Sequence, residues 1–301
     1  MRMACVAFDL DETIGSFRAV WYLASFWSVD YINTVEQRNG NAPFTPSASL
    51  KHTLELVKET FANYLLRDKE ILDLIIRPNI GELIRPLLAA KRARHLKTMI
   101  IYSNTGISYT IELAERLLAH MFKVPKLFSL TADWWNPLRS ADKTVVRGDT
   151  IMHKRIETLQ KLFQKALQTK KKIPLGNILF IDERSQRHTL AEQIPEGLTY
   201  LVPTEFQPSL SVKQKEYLLF MAFAAMEQHG LLENKEYLDS KFCHRTIRLS
   251  YPENANIRVD SVRELFGAVS RCVMNVEGSP WKPDSPVLRK TVRDFLAQVK
   301  P

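Results

Sequence analysis

The chain has few cysteines, few glycines and no long hydrophobic run. Its three cysteines, Cys5, Cys243 and Cys272, lack the spacing of a metal site and fit a reduced compartment. The longest uncharged apolar run, residues 217–226, is too short to span a bilayer, and an acid at position 9 interrupts any signal-peptide core. We therefore expect an intracellular protein of the cytoplasm or nucleus that is not a membrane protein.

The composition is that of a folded globular protein with a basic balance. Hydrophobic residues make up 45% of the 301 residues, with 10 glycines and 15 prolines, which excludes disordered, collagen-like and coiled-coil chains. Lys and Arg number 42 against 33 Asp and Glu, a net charge of +9. This excess favours anionic partners, and it suits nucleic acids, phosphoproteins and phosphorylated small molecules equally.

Short apolar segments alternate with segments of helical spacing. Four apolar segments are typical of buried strands, namely residues 3–8, 98–102, 178–181 and 198–202. Apolar residues at helical spacing separate the second from the third. The pattern predicts an α/β fold, a Rossmann-like parallel sheet with helices on both faces.

Polar residues follow three of the predicted strands. They are Asp9, Asp11 and Thr13, then Ser103 and Asn104, then Asp182 and Glu183. In a parallel sheet these strand ends share one edge, where ligands bind. Clustered carboxylates repel one another unless a cation lies between them, and oxygen ligands without His or Cys favour Mg²⁺ over zinc. The alternative reading is a set of helix-capping aspartates.

This cluster has the groups that phosphoryl transfer requires. A carboxylate such as Asp9 can attack phosphorus once a metal offsets its charge. A second carboxylate two residues on, Asp11, can protonate the leaving group and then deprotonate water.

The segments VAFDLDETIGSF, IIYSNTG and ILFIDER resemble motifs I, II and IV of the haloacid dehalogenase (HAD) phosphohydrolases. The DLDET segment, together with Arg77 and Pro78 ahead of a predicted helix, resembles one branch of the HAD phosphohydrolases. That branch holds the NLI-interacting-factor-like and C-terminal-domain (CTD) phosphatases, with the magnesium-dependent phosphatases nearby. The resemblance covers residues 1–17 and 75–206, and it implies a HAD-type fold.

The resemblance implies a role for each motif residue. Asp9 matches the nucleophile and metal ligand, and Asp11 matches the general acid/base, which also offers its backbone carbonyl to the metal. Thr13 would brace the loop. The remaining roles are phosphate binding by Ser103 and the Asn104 amide, metal binding by Asp182, and a supporting role for Glu183, where CTD-type relatives often have Asp.

Motif III of the family requires a lysine before the third strand, which offsets the charge of the nucleophile and the phosphoryl group. Lys154 is favoured because it begins the amphipathic helix that leads into residues 178–181. The other candidates are Lys143, Lys161 and Lys165.

The remaining segments are predicted to be helical additions to a core of residues 1–207. Residues 18–95 form a helical insertion, either a flap or a cap. Its aromatic residues line a substrate entrance or pack in the core, and they include Trp21, Tyr22, Phe26, Trp27 and Tyr31. Residues 208–301 form a C-terminal helical appendage that supports the core or binds a protein partner.

Together these observations predict a Mg²⁺-dependent phosphomonoesterase that acts through an aspartyl-phosphate on Asp9. The resemblance favours a phosphoprotein substrate, such as a phospho-Ser/Thr tail. Two alternatives stay open: a phosphatase of small molecules or nucleic-acid ends, and a HAD-fold scaffold or transcription-associated binding protein with little turnover.

Overall fold

The structure, a computed structural model, describes most of the chain. The described residues are 4–29, 33, 43–133, 143–146, 149–152, 154–183, 194–239, 262–278 and 286–299. Within these ranges no helix combines the length and apolar character needed to cross a membrane.

A five-stranded parallel sheet forms the centre of the fold. Its strands are β1 (Ala4–Phe8), β2 (Leu96–Tyr102), β3 (Leu130–Ala132), β6 (Ile178–Ile181) and β7 (Thr199–Leu201). They lie side by side in the order β3-β2-β1-β6-β7, so that β1 is central, and every neighbouring pair is parallel. A separate antiparallel pair consists of β4 (Lys143–Val146) and β5 (Asp149–Met152).

Helices connect and cover the strands. The insertion between β1 and β2 supplies α1 (Arg18–Ala24), α2 (Ala48–Arg67), α3 (Lys69–Ile75) and α4 (Ile80–Arg92). The later connections supply α5 (Ser108–Phe122) and α6 (Ile156–Ala166). After the sheet come α7 (Val212–Gln228), α8 (Lys235–Asp239), α9 (Val262–Met274) and α10 (Pro286–Gln298).

Alternate residues of β1 belong to two apolar cores, one on each face of the sheet. Val6 and Phe8 lie in the larger core, whereas Cys5 and Ala7 lie in the smaller one with residues of α6 such as Leu159. This alternation is the period of two expected of a strand buried on both sides. The predicted α/β class, with helices on both faces of a parallel sheet, is confirmed.

The larger core is shared by the sheet, the insertion and the C-terminal helices. It joins Val6 of β1 to Leu54 of α2, Leu218 of α7 and Val292 of α10. Phe26 and Trp27 are buried in it, and Trp21 and Tyr22 pack against it, as the core-packing alternative expected, whereas Tyr31 lies outside the described residues. The predicted boundary at residue 207 stays a prediction.

The set of four predicted strands was incomplete. It omitted β3, which has three residues and therefore no readable period, and the β4–β5 pair. β3 extends the sheet beyond β2 and places residue 133 at the same edge as the ends of β1 and β6.

A tight loop follows β1 and is tied to the insertion. The Glu12 amide donates to the Gly15 carbonyl at 2.6 Å, and the Ser16 amide donates to the Ile75 carbonyl at 2.7 Å. Gly15 approaches the backbone so closely that a Cβ atom there would lie 2.3 Å from the Ile75 oxygen. Glycine is therefore required at this position.

We expect Gly15→Ala to destabilise the protein, because either the loop or the end of α3 must shift to admit the methyl group. Overpacking of this kind typically costs about 1–3 kcal/mol. Gly176→Ala is the matched control, since its Cβ would meet nothing closer than 3.9 Å. Denaturant unfolding should separate the two variants, and equal midpoints would show that the contact at Gly15 is not a constraint.

Candidate active site

The predicted polar residues follow the carboxyl ends of three neighbouring strands. The first residue after each strand donates its amide hydrogen to a backbone carbonyl of the neighbouring strand. The pairs are Asp9 with Ile181 at 2.8 Å, Ser103 with Ala132 at 2.9 Å, and Asp182 with Leu201 at 3.0 Å. The sheet ladder thus continues for one residue beyond each strand. These bonds hold the three side chains at one edge of the sheet.

Lys154 lies between two of these carboxylates. Its Nζ is 2.7 Å from Oδ1 of Asp9 and 2.5 Å from Oδ2 of Asp182, and all three side chains are buried. Burial alone would lower the pKa of Lys154, but the carboxylates of Asp182 and Asp9 hold it above its ordinary value. The lysine is therefore a fixed positive charge beside Asp9.

Local structure explains how Lys154 reaches this position. It immediately precedes Arg155, the residue that caps α6, and the Arg155 amide donates to the Tyr102 hydroxyl at 2.9 Å. Its ammonium also lies 5.4 Å from the centre of the Phe180 ring. Contacts from β2 and β6 thus orient the lysine from both sides.

The other candidate lysines either lie on the exposed face of α6 or have a side chain outside the described residues. Lys161 is exposed and pairs with Glu157 on α6 at 2.8 Å, and Lys165 is exposed on the same helix. Lys143 is paired with Met152 in the β4–β5 ladder, and its side chain lies outside the described residues.

Three buried acids form a cluster with the dimensions of a metal site. Carboxylate oxygens of Asp9, Asp182 and Glu183 lie within 4.8 Å of one another. Oδ1 of Asp9 is buried and accepts no hydrogen bond of normal geometry, its close neighbour being the Lys154 ammonium. One ammonium does not balance Asp9 and Asp182, and Glu183 adds a third oxygen donor, so this all-oxygen set fits a hard divalent cation.

The Glu183 side chain belongs to this cluster, and Glu183 also bonds to Thr13 in the loop after β1. The Thr13 hydroxyl donates to Oε2 of Glu183 at 2.6 Å and accepts from the Glu183 amide at 2.9 Å. Burial, followed by the charges of Asp9 and Asp182, raises the pKa of Glu183 to about 9. Thr13 therefore holds Glu183 in place whether or not its carboxyl is ionised.

Asp11 has the environment of an acid that can hold a proton near neutral pH. It lies outside the three-carboxylate cluster and keeps some exposed surface. Desolvation, followed by the charges of Asp9 and Glu12, raises the pKa of Asp11 to about 7, partly opposed by Lys154. A pKa near the working pH is what general acid/base catalysis requires.

Ser103 and Asn104 stand at the end of β2, the strand beside β1. Ser103 is buried, and its Oγ accepts from the Thr105 amide at 3.2 Å, which turns the chain after the strand. Asn104 is partly exposed. The pair therefore borders Asp9 from the neighbouring strand.

Arg77 is a buried residue whose contacts sequence reasoning missed. Its Nε donates to the Thr13 carbonyl at 2.7 Å, and its Nη2 donates to the carbonyls of Glu12 and Thr204. The guanidinium thus ties the loop after β1 to the segment after β7. An Arg-Pro pair ahead of a helix was the available signal, but it did not indicate these partners.

Comparison with known proteins gives structural neighbours at low similarity. No protein-family profile matches the chain, and no curated protein matches it. A HAD-superfamily hydrolase of subfamily IA from Geobacter sulfurreducens is 11% identical, with 61% of this chain and 79% of that chain covered and a TM-score of 0.27. A putative phosphatase from Clostridium difficile is 15% identical, with 61% and 78% covered and a TM-score of 0.25. At these scores the likeness assigns neither a family nor an activity.

Magnesium is expected to stabilise the folded protein through the acidic cluster. A ligand at a hundredfold excess over its dissociation constant stabilises by about 2.7 kcal/mol, which is a rise of a few degrees in the melting temperature. Asp182→Asn should remove most of this rise, because it takes one charged ligand from the cluster.

Thermal unfolding gives the melting temperature of each variant in Mg²⁺ and in EDTA, and the difference between the two is compared among variants. Glu157→Gln is the control, since Glu157 is an exposed acid paired with Lys161 on α6. A magnesium-dependent rise of equal size in Asp182→Asn would contradict the assignment of the metal to this cluster.

Proposed function

We propose that the protein is a HAD-type, Mg²⁺-dependent phosphomonoester hydrolase that uses Asp9 as its nucleophile. The observation that supports this most directly is the buried ion pair of Lys154 with Asp9 and Asp182 at the carboxyl edge of the sheet. A structural aspartate pair would also call for a buried ammonium, but it would not call for the third buried acid, Glu183, within 4.8 Å.

The chain's own residues account for both halves of the reaction. The Asp9 carboxylate attacks phosphorus, the bond from phosphorus to the leaving oxygen breaks, and Asp11 donates its proton to that oxygen. Asp11 then takes a proton from water, which attacks phosphorus and releases inorganic phosphate and free Asp9. Ser103 and the Asn104 amide bind phosphoryl oxygens, and Lys154 offsets their charge.

Magnesium would be held by Asp9, Asp182 and the backbone carbonyl of Asp11, and it would neutralise charge between nucleophile and phosphate. Glu183 supports this set from the Thr13 side, within reach of direct ligation. The two carboxylates have separate tasks: Asp9 bonds to phosphorus, and Asp11, with its pKa raised to about 7, moves the proton.

A phosphoprotein is the substrate class that we favour, because the DLDET wording and Arg77-Pro78 resemble the CTD-type branch. A nucleic-acid end is the second candidate, which the net charge of +9 suits equally well. A panel of phosphopeptides, 5′- and 3′-phosphorylated oligonucleotides and sugar phosphates distinguishes these classes by kcat/KM. The C-terminal helices are proposed to support the core and to offer a surface for a protein partner.

Exchange of each aspartate for asparagine separates the two proposed roles. Asp9→Asn should abolish turnover, because an amide is a poor nucleophile. Asp11→Asn should lose about 10²–10⁴-fold, and more with an alkyl phosphate than with an activated aryl phosphate, because only the poor leaving group needs a proton.

Steady-state kinetics on both substrates, with Mg²⁺ and with EDTA, measure these losses. Asp294→Asn on the exposed face of α10 is the control and should keep wild-type rates. Equal losses of Asp11→Asn on the two substrates would remove its general-acid role. Full activity in EDTA would contradict the proposed dependence on Mg²⁺.

A further inference from the structure

A polar cleft lies away from the acidic cluster. It is a cleft of about 820 Å³ between α4, α10 and the end of α5, and we call it the arginine cleft. Three exposed arginines line it: Arg85 on α4, and Arg289 and Arg293 one turn apart on α10. Asp9, Asp11, Lys154 and Asp182 are not among its lining residues.

Within the described part of the chain, the charges of the arginine cleft are only partly compensated. Arg289 pairs with Glu82 at 2.5 Å. Among the described residues, no acidic side chain pairs with Arg85 or Arg293, and the other acid that lines the cleft is Asp73. Arg77 forms the inner wall, but its guanidinium is committed to backbone carbonyls. Arg85 and Arg293 are thus the donors available to an anion.

An apolar wall stands beside these donors. Met121 is 37% exposed, and the partly exposed Phe122 follows it at the end of α5. Gly81 forms part of the lining, and a Cβ there would lie 3.4 Å from Nε of Arg85 and 3.8 Å from Phe122. Both distances are ordinary contacts, so the Arg85 guanidinium and the Phe122 ring lie on the same side of α4, over residue 81.

We propose that the arginine cleft binds a small molecule that joins phosphate groups to a planar apolar part, the chemistry of a nucleotide. Its volume is in the range of small-molecule sites, about 300–1,000 Å³. Arg85 and Arg293 take the phosphates, because guanidinium groups bind phosphate oxygens in pairs of hydrogen bonds. Met121 and Phe122 cover the apolar part. The proposal stands independently of the activity assigned to Asp9.

Calorimetry on the full chain tests this site with adenylyl imidodiphosphate, a nucleotide that resists hydrolysis. EDTA is present, because carboxylates without a metal repel anions and the acidic cluster is then a poor binder. We expect saturable binding with one site, weakened by added salt, and weaker binding of tripolyphosphate and of adenosine. No binding of the nucleotide at millimolar concentration would overturn the proposal.

Charge-matched variants locate the binding. Arg85→Gln and Arg293→Gln should each weaken it by about tenfold to a hundredfold, the value of one charge-assisted hydrogen bond. Lys290→Gln removes the same charge from α10 at a residue that pairs with Asp294, and it should change affinity less than twofold. Equal effects of Lys290→Gln and Arg293→Gln would show charge attraction without a site. Equal affinity for tripolyphosphate and the nucleotide would contradict binding of the apolar part by Met121 and Phe122.

Discussion

The ammonium of Lys154, buried between Asp9 and Asp182, is the contact on which the site depends. The carboxylates of Asp9 and Asp182 would repel each other without it, and removal of one partner from a buried pair typically costs about 3–5 kcal/mol. The single positive charge leaves the cluster negative. This residual negative charge suits a divalent cation.

The rest of the fold holds that charge arrangement in place. Parallel strands bring Asp9, Ser103 and Asp182 to one edge, and Tyr102 fixes the chain just after Lys154. Arg77, at the junction of the insertion with the core, ties the loop after β1 to the segment after β7. The insertion is therefore tied to the loop after β1, and Arg77 at this junction also lines the arginine cleft.

Much of this could be predicted from sequence because the signals are local. An apolar run that ends in Asp or Ser marks a strand end, and the start of an amphipathic helix marked Lys154. β3 has too few residues for a period, and the β-branched residues around Arg147-Gly148 were an overlooked hairpin signal. The bonds of Arg77, the contact at Gly15 and the pairing of α4 with α10 join distant residues, which one sequence does not reveal.

The proposal that Asp9 is the nucleophile is tested most directly by chemical trapping of an aspartyl-phosphate. Rapid acid quenching during turnover, followed by borohydride reduction, converts an aspartyl-phosphate to homoserine, which peptide mass spectrometry locates. We expect homoserine at position 9 only when Mg²⁺ and substrate are both present. Turnover with no modified residue at position 9, or with the modification on another aspartate, would contradict it.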